Sequence, residues 1–300
     1  MADDPPLRIE TPAGLRAWSE AARCDGLRVG LVPTMGALHA GHVSLVRRAR
    51  QECDRTAVSI FVNPLQFTPG EDFERYPRQL DADLAVLRAE GVDVAYLPSV
   101  EVMYPPGATT RVCVGELDDV LEGACRPGHF EGVATVVLKL FEAGRPHRAY
   151  FGQKDAQQAA LVARLARDLD TGVEVVVCPT IREPDGLALS SRNAYLHGDE
   201  RRAALCLVGA LRAATDLYAT GERDPSPLRA ANERYASGER DPMVLRAEMH
   251  EVLDAEPLAR VDYAEVVDEL TFLPPGRLAV LAVRIGATRL IDNALLGDPL

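Results

Sequence analysis

The N-terminal part of the chain alternates short, continuous apolar segments with longer segments in which apolar residues recur every three or four positions. The first pattern predicts buried strands, and the second predicts amphipathic helices. The predicted strands are residues 27–33, 56–62, 93–97, 110–114, 148–151 and 173–178, and the predicted helices are residues 11–23, 41–53, 79–90, 131–143 and 155–169. Strands that alternate with helices form a parallel sheet covered on both faces. We therefore predict an α/β fold for residues 1–182.

The pattern changes after residue 183. A long helix is predicted at 199–219, and strands are predicted at 261–268, 277–284 and 287–291. A helical segment followed by neighbouring strands is typical of a small α+β domain. At 300 residues the chain also approaches the size at which one hydrophobic core divides into two. We therefore predict two domains, residues 1–182 and 183–300.

A tandem repeat lies in the second predicted domain. The segment YATGERDPSPLRA at 218–230 recurs as YASGERDPMVLRA at 235–247. Each copy places Asp and then Pro where a helix is expected to begin, as an N-cap followed by the first helical position. Two copies are too few for a solenoid. We interpret an insertion at about 218–251 as a local duplication that lengthens a helical linker.

Composition narrows the classes of function. A net charge of −12 argues against general nucleic-acid binding, which requires a basic face. No apolar run approaches the roughly 20 residues of a membrane span, and the acidic start MADDPPLRIE is unlike a signal peptide. The six cysteines are scattered singly, which favours reduced thiols. We expect a cytoplasmic protein without nucleic-acid or membrane partners.

The segment PTMGALHAGH, Pro33–His42, carries the clearest chemical signal, and we call it the histidine loop. His39 and His42 fall in the first turn of a predicted helix and share one face, because residues three apart are neighbours on a helix. The unpaired N–H groups and positive dipole of a helix N-terminus favour an anion, and Gly41 allows close approach. Neutral imidazole N–H donors here would stabilise charge on a leaving pyrophosphate.

Two other interpretations of these histidines remain. They could bind a metal ion with His129 as a third ligand, although no carboxylate stands beside His129 at metal-site spacing. They could also be helix-start residues without a catalytic task. We rank metal binding second to phosphate binding.

A second polar loop, FVNPLQF at Phe61–Phe67, follows another predicted strand, and we call it the amide loop. The amides of Asn63 and Gln66 are suited to the hydroxyl and carboxylate groups of a small ligand. The next segment, EDFERYPR at 71–78, is predicted to be a flexible flap over the site. Asp81 and Asp83 then open a helix; they could hold Mg²⁺ through water, but we favour plain helix-start carboxylates.

Three later segments add polar candidates. The turn CRPGH contains Arg126 and His129, and His129 either has a structural role or contacts substrate. In FGQKDAQQ, Gly152 permits close backbone approach, Lys154 can reach phosphates, and Asp155 either caps the next helix or binds ribose. The segment DGLALSSRNAYL at 185–196 supplies hydroxyls and an arginine for a phosphate clamp. Together with the histidine loop, these motifs describe a nucleotide site.

The ordered motifs PTMGALHAGH, FVNPLQF with EDFERYPR, RPGHFEGVATVVLKLF, FGQKDAQQ and DGLALSSRN resemble those of the pantoate–β-alanine ligase family of HxGH nucleotidyltransferases. The resemblance extends from about Leu27 to the terminal TRLIDNALL. It implies a Rossmann-like nucleotidyltransferase domain, a smaller C-terminal lid domain and a homodimer. It also implies two half-reactions: ATP and (R)-pantoate give pantoyl adenylate and pyrophosphate with Mg²⁺, and β-alanine then releases pantothenate and AMP.

The resemblance assigns roles to matching positions. His42 is implied as the catalytic histidine, with His39 and Lys154 beside it, while Gln66 and Gln158 would bind pantoate. The polar candidates Asn63 and His129 are added to that substrate site. The implied ATP site comprises Met35, Gly36, Ala37, Leu38, His39, Ala40, Gly41, His42, Gly152, Gln153, Lys154, Asp155, Ile181, Leu189, Ser190, Ser191 and Arg192.

Departures and alternatives remain. Gln153 replaces a glutamate that many relatives have before the lysine, and the duplication departs from the family in the length of the lid but not in the chemistry.

A cytidylyltransferase would share the histidine loop but would not need paired glutamines. A metal-dependent hydrolase would use His39, His42 and His129, and a non-catalytic nucleotide-binding protein would not need both histidines and Lys154.

Overall fold

The computed structural model describes residues 4–220 and 241–300. The chain forms two compact units. The first runs to Ile181 and also takes in Leu189–Ser191, and the second comprises Arg182–Ala188 and Arg192–Leu300. The predicted boundary at residue 182 assumes that the chain leaves the first domain only once. In the structure, the chain returns to the first unit for three residues before it continues in the second.

The first unit contains a six-stranded sheet. Its strands are β1 (Leu7–Ile9), β2 (Val29–Thr34), β3 (Arg55–Ile60), β4 (Val94–Tyr96), β5 (Arg148–Gly152) and β6 (Glu174–Cys178). Its helices are α1 (Pro12–Cys24), α2 (Ala40–Glu52), α3 (Leu80–Ala89), α4 (Val100–Met103), α5 (Glu122–Cys125), α6 (His129–Gly144) and α7 (Ala156–Asp168). All strand pairs in this sheet are parallel. The α/β fold predicted from the sequence is confirmed.

The strand order explains where a ligand can bind. The order is β1-β4-β3-β2-β5-β6. From β2 the chain adds β3 and β4 toward one edge of the sheet, and β5 and β6 then extend toward the other edge. Such a switch point leaves a crevice outside the carboxyl ends of the strands, and ligands bind there in open α/β sheets. The histidine loop follows β2 and the Gly152–Asp155 loop follows β5. The two loops therefore flank the switch point.

One predicted strand of this unit was wrong, and one observed strand was not predicted. Residues 110–114 form no strand, because Thr110, Arg111 and Cys113 are exposed and the N–H of Val112 donates to Thr135 Oγ1 of α6 at 3.0 Å. The alternation of polar and apolar residues there reflects a segment lying on a helix rather than a sheet strand. The missing sixth strand is β1, a three-residue edge strand paired with β4. It is too short to produce a recognisable period.

The second unit packs helices against an antiparallel sheet. The helices are α8 (Gly198–Ala203), α9 (Leu205–Thr220) and α10 (Pro242–Asp254), and the strands are β7 (Ala259–Val267), β8 (Leu278–Ile285) and β9 (Thr288–Leu295), in the order β7-β8-β9. The single helix predicted at 199–219 is divided at Ala204. Buried residues such as Leu211, Met249 and Leu281 form one core. The smaller α+β unit was correctly predicted.

Most of the tandem repeat lies outside the described residues. The second copy extends into them, and there Asp241 is the N-cap of α10, its carboxylate accepting the N–H of Met243 at 2.8 Å. Pro242 follows at the first helical position, as predicted for this copy. No helix in the parts of the chain that the structure describes is both long and apolar enough to cross a membrane.

Candidate active site

The two histidines occupy the start of α2, directly beyond the carboxyl end of β2. His39 is the N-cap, with extended backbone, and His42 is the third helical residue. The N–H of Gly41 donates to His39 Nδ1 at 3.1 Å, and the N–H of His39 donates to His42 Nδ1 at a longer 3.4 Å. This reciprocal pair is a capping box built from imidazoles instead of hydroxyl and carboxylate groups. It joins the two rings, whose centroids are 4.1 Å apart.

The capping box determines the tautomer of both histidines. A neutral imidazole nitrogen that accepts a hydrogen bond carries no proton, so each ring must be protonated at Nε2. Burial lowers the pKa of His42 to about 3, helped by the neighbouring His39 and Lys154. Burial and then the charge of Lys154 also lower the pKa of His39. Both rings are therefore neutral near pH 7, and each has an N–H donor at Nε2.

Gly41 is required for a reason that the sequence did not reveal. A Cβ atom at residue 41 would lie 2.8 Å from Cε1 of the His39 ring and 2.9 Å from its Nδ1. Any larger side chain would displace the ring that caps the helix. Gly41 thus makes room for the His39 ring, in addition to any access it gives a ligand.

Asp83 holds the histidine loop from a distant part of the chain. It lies in the first turn of α3 and is 3% exposed. Its Oδ2 accepts the N–H of Ala37 at 3.0 Å, and its Oδ1 accepts the N–H of Leu38 at 2.8 Å. Both carboxylate oxygens therefore accept backbone N–H groups. The two roles considered for Asp83 from the sequence, a helix-start carboxylate and a Mg²⁺ ligand, did not include these hydrogen bonds.

The loop after β5 brings a cation close to the histidines. Gln153–Asp155 form a short 3-10 turn between β5 and α7, and Lys154 Nζ lies 3.6 Å from Asp155 Oδ1. The position that a Cβ of Gly152 would occupy faces open space, which is consistent with close approach by a ligand. Asp155 is the N-cap residue of α7 but makes no capping bond with its side chain. The side-chain cap that was one of two roles predicted for Asp155 is therefore not observed.

The amide loop is held rigidly by Asn63, which is 1% exposed. Asn63 Nδ2 donates to Gln66 Oε1 at 3.0 Å and to the carbonyl of Gly132 at 3.1 Å. Its Oδ1 accepts from the hydroxyl of Tyr104 at 2.8 Å and from the N–H of Leu65 at 3.3 Å. The amide of Asn63 is thus fully engaged within the protein. This geometry favours a positioning role over the direct ligand contact predicted for Asn63.

The side chain of Gln66 connects the amide loop, to which it belongs, with the histidine loop. It is partly exposed, and its Nε2 donates to the sulfur of Met35 in the histidine loop at 3.2 Å. Its side-chain oxygen accepts from Asn63. The side chain of Gln66 therefore contacts both motifs.

The backbone of Gln66 is held by a buried network that the sequence did not predict. His129 Nδ1 donates to the Gln66 carbonyl at 2.7 Å, and Arg126 Nη2 donates to the same oxygen at 3.3 Å. Arg126 Nη1 lies 3.0 Å from His129 Nε2, which must then be the acceptor. Burial, followed by the charge of Arg126, lowers the pKa of His129 to about 4. Both ring nitrogens of His129 are used, so the geometry favours its structural role.

The same arginine anchors the predicted flap. Arg126 forms a two-pronged ion pair with Glu71 at 2.7 and 2.8 Å and lies 3.4 Å from Glu122. Burial by itself raises the pKa of Glu71, but hydrogen bonds from Arg126, its charge and the N–H of Thr68 outweigh burial and bring this pKa to about 2. Residues Glu71, Glu122, Arg126 and His129 are called the Arg126 network below. The start of the flap is thus tied to the amide loop.

Gln157 and Gln158 are adjacent but have different surroundings. Gln157 is 5% exposed; its Nε2 donates to the carbonyls of Leu117 and Val120, and its Oε1 accepts the N–H of Glu122. Gln158 is partly exposed and makes no side-chain hydrogen bond within the part of the chain that the structure describes. Of this pair, Gln158 is therefore the one whose amide is available to a ligand.

Among the remaining predicted ATP residues, Leu189–Ser191 are the three by which the chain returns to the first unit, Ile181 ends the first part of that unit, and Arg192 follows the return. The N–H of Leu189 donates to the carbonyl of Ile181 at 2.9 Å, and the hydroxyl of Ser191 lies 3.2 Å from that of Tyr76 in the flap. Ser190 is partly exposed between them. Arg192 belongs to the second unit, and its contact with ATP stays a prediction.

The donor groups do not form a metal site of the kind considered for a hydrolase. Among residues 4–220 and 241–300, no group of three or more His, Cys, Asp or Glu side chains could hold a metal ion. His129, the third ligand in that interpretation, donates to Gln66 and accepts from Arg126. The arrangement instead offers neutral N–H donors, a lysine and side-chain amides, which suit phosphate and hydroxyl groups.

Comparison with known proteins agrees with this chemistry. The family model for pantoate–β-alanine ligase matches residues 8–295. The pantothenate synthetase of Roseiflexus sp. (strain RS-1) is 57% identical over 272 residues, which cover 89% of this chain and 92% of the relative. That of Acidobacterium capsulatum is 55% identical over 307 residues and covers 97% of each chain.

Solved structures show the same similarity. The crystal structure of pantothenate synthetase from Thermus thermophilus has a TM-score of 0.86 and 45% identity, covering 97% of this chain and 99% of that one. A pantoate–β-alanine ligase from Francisella tularensis, complexed with β,γ-ATP and β-alanine, has a TM-score of 0.75 and 33% identity, covering 98% and 99%. The match extends over both units, and the chain belongs to the pantoate–β-alanine ligase family.

Proposed function

We propose that this chain catalyses the ATP-dependent condensation of (R)-pantoate with β-alanine to give pantothenate, AMP and pyrophosphate. Family membership supports this reaction, as does the Francisella tularensis relative complexed with an ATP compound and β-alanine. The observation that carries the proposal is the arrangement of the histidine loop, the amide loop and the Lys154 loop at the carboxyl ends of three neighbouring strands, β3, β2 and β5.

In the first half-reaction, a carboxylate oxygen of pantoate attacks the α-phosphorus of ATP. A new P–O bond forms, the bond to pyrophosphate breaks, and pyrophosphate leaves with the electron pair. His42 is the principal catalytic residue, assisted by His39, because their Nε2–H groups can donate to the phosphate oxygens as charge accumulates. Lys154 supplies a positive charge to the same oxygens.

In the second half-reaction, the amine of β-alanine attacks the acyl carbon of pantoyl adenylate, AMP leaves, and the amine loses a proton. Gln66 and Gln158 bind pantoate through their amides, whereas Asn63 and His129 position Gln66. No enzyme nucleophile is required, since the carboxylate and the amine attack directly. The enzyme acts by positioning the reactants and stabilising charge.

ATP is assigned to the histidine loop, Gly152–Asp155, Ile181 and Leu189–Arg192. Mg²⁺ would enter as the ATP complex, held mainly by phosphate oxygens and water, as is usual for this ion. Asp83 is a poor ligand because both of its oxygens accept backbone N–H groups. The chemistry that Mg²⁺ supplies when bound is neutralisation of phosphate charge.

Three further assignments go beyond the reaction: the first two rest on the family, and the third rests on the composition of the chain. We infer a homodimer, a lid function for the second unit and a cytoplasmic location. Sedimentation equilibrium tests the first: a mass near 65 kDa is expected for two chains of 32.5 kDa (2 × 32.5), and a mass of one chain would exclude the dimer.

The reaction is tested by a coupled assay with the purified protein. AMP should appear only when ATP, pantoate and β-alanine are all present, and radiolabelled pyrophosphate should exchange into ATP only when pantoate is present. Hydrolysis that proceeds without ATP and stops with a chelator would contradict the proposal and favour a metalloenzyme. Exchange that depends on a cytidine nucleotide would favour a cytidylyltransferase.

A further inference from the structure

We propose that Asp83 is a positioning residue that sets the orientation of the two catalytic histidines. This inference rests on the proposed adenylation reaction. Within the described residues, Asp83 makes no hydrogen bond to either imidazole ring. It acts through the backbone that leads into His39. Its two oxygens accept the N–H groups of Ala37 and Leu38, the residues immediately before the helix cap.

The backbone that Asp83 holds is in a conformation that needs support. Gly36 has φ of 85° and Ala37 has φ of 50°, so two consecutive residues occupy the left-handed region. A residue with a side chain rarely adopts this region, because its Cβ atom is crowded by the neighbouring backbone there. The two hydrogen bonds to Asp83 stabilise this turn, which redirects the chain from β2 toward the start of α2.

The identity of Gly36 supports the same role. A Cβ atom on Gly36 would lie 2.9 Å from Asp83 Oδ2 and 3.0 Å from Ile60 Cγ2. The carboxylate therefore occupies the space beside the backbone that a side chain would need. Close approach of this kind, together with the positive φ, explains why residue 36 is a glycine.

Backbone donors along the loop are satisfied one after another by side chains. The N–H of Gly36 donates to Thr34 Oγ1 at 3.2 Å, those of Ala37 and Leu38 donate to Asp83, and that of His39 donates to His42 Nδ1. Thr34 Oγ1 in turn donates to the carbonyl of Ser59 in β3 at 2.7 Å. The loop is therefore fixed from the end of β2 to the helix cap, and Asp83 provides two of its links.

A carboxylate is the group that suits this position. Two converging N–H donors need two acceptors, and charged acceptors make stronger hydrogen bonds than neutral ones. An amide would keep one acceptor and turn an NH₂ group toward the other N–H. The positive end of α3, in whose first turn Asp83 lies, helps to stabilise the buried negative charge.

The test compares Asp83→Asn with Asp81→Asn. Asp81 lies in the same helical turn but is exposed, so its substitution is the matched control. Each variant is assayed for both half-reactions in one preparation: pantoate-dependent pyrophosphate exchange, and release of pantothenate from chemically prepared pantoyl adenylate and β-alanine. The ratio of the two rates is independent of the fraction of folded protein.

We expect Asp83→Asn to reduce exchange by about 100-fold, because small displacements of catalytic groups have effects of this size. Release of pantothenate from the adenylate should fall much less, since no pyrophosphate leaves in that step. Asp81→Asn should leave both rates unchanged. If Asp83→Asn does not fold, Asp83→Glu, which keeps the charge but displaces it by one methylene, is subjected to the same ratio test.

An equal fall in both half-reactions, or no fall in exchange, would overturn the positioning role. Restoration of exchange by higher Mg²⁺ concentration would also overturn it, because Asp83 would then be a metal-binding residue. Failure of the proposed function is distinguishable from these outcomes: the unsubstituted protein itself would show no pantoate-dependent exchange.

Discussion

The histidine loop and the amide loop follow adjacent strands, β2 and β3, yet different parts of the chain hold them in place. The rings of His39 and His42 are oriented by hydrogen bonds that span two and three residues. Gln66 and Asn63 are held by partners 41 to 69 residues away, among them Tyr104, His129 and Gly132. The rings of the histidine loop are oriented mostly by hydrogen bonds between neighbouring residues, whereas the amide loop is held by residues that are distant along the chain.

This difference has consequences for the chemistry of ATP and for the binding of pantoate. The local capping box orients the two imidazole rings relative to each other, and the backbone leading into them is held by Asp83 and by the bond from Thr34 to the Ser59 carbonyl. The amide loop becomes ordered only when α6, the flap and the Arg126 network come together. We therefore expect perturbation of the Arg126 network to affect pantoate binding and local stability more than ATP chemistry.

The largest effect should come from His42→Ala. This substitution removes an Nε2–H donor from the proposed phosphate site and should lower the rate of pantoate-dependent pyrophosphate exchange by about 10²–10³-fold, as for loss of one oxyanion donor. The thermal unfolding midpoint should change little. Exchange assays at saturating ATP and pantoate measure the rate, and calorimetry measures unfolding.

His197→Ala is the matched control for this prediction, because His197 is exposed in the second unit and makes no capping bond. It should retain the full rate. An unchanged exchange rate in His42→Ala would remove His42 from the catalytic site. The comparison between the loops would then lose its chemical basis.

The next effect concerns acid stability through Glu71. Its pKa in the fold, about 2, is lowered from 4.5, so its ion pair stabilises the protein fully above about pH 4.5. This contribution is lost as the pH falls from 4.5 toward 2, because protonation breaks the pair. After allowance for solvent screening, Glu71→Gln should reduce the free energy of unfolding at pH 7 by about 2 kcal/mol.

The matched control is Glu90→Gln, since Glu90 forms a two-pronged pair with the exposed Arg47 at 2.9 and 2.7 Å. A surface pair of this kind contributes roughly 0–1 kcal/mol. Urea unfolding at pH 7 and at pH 3 measures both variants. If the difference between Glu71→Gln and the unsubstituted protein does not shrink at pH 3, the ion pair is not the source of the stability.

The smallest effect is expected from Arg126→Lys. Lysine keeps the charge but loses the planar fork that reaches Glu71, His129 and the Gln66 carbonyl together. Loss of about one net hydrogen bond, roughly 1 kcal/mol, should raise KM for pantoate about fivefold while KM for ATP stays constant. Steady-state kinetics with each substrate varied in turn make this measurement.

Arg47→Lys provides the control, because it removes the same type of fork from the surface of α2. Neither KM should change in that variant. An Arg126→Lys variant with equal rises in both KM values would mean that the two loops are one coupled unit. The distinction between local and distant support would then fail.

The sequence identified most elements because their periods are long and regular. Helix α6 was predicted at 131–143 and observed at His129–Gly144, with boundaries changed by one or two residues. Short or irregular segments were not identified: β1 has three residues, and 110–114 resembled a strand while lying against Thr135. Periodicity needs several turns of helix or several alternations of strand before it differs from chance.

The residues of the candidate site divide in the same way. The histidine loop and Lys154 stood out because of residue type and their position after a strand, whereas Gln158 was implied by the resemblance to the ligase family. The neighbouring Gln157 has the same side chain, yet it is buried and donates to the carbonyls of Leu117 and Val120. Only the contacts of the folded chain distinguish an amide that holds a loop from one that is available to a ligand.

The sequence alone was enough to predict the α/β class, an anion-binding site at a helix start and a resemblance to a ligase family, because these depend on local periods and short motifs. The tertiary structure decided that Asp83 supports the histidine loop and that Arg126 and His129 hold Gln66. Asp83 is separated from its partners by 45 and 46 residues, and His129 from Gln66 by 63. Such pairings form only when the packed sheet and helices bring distant residues within hydrogen-bond distance, and a linear pattern carries no sign of them.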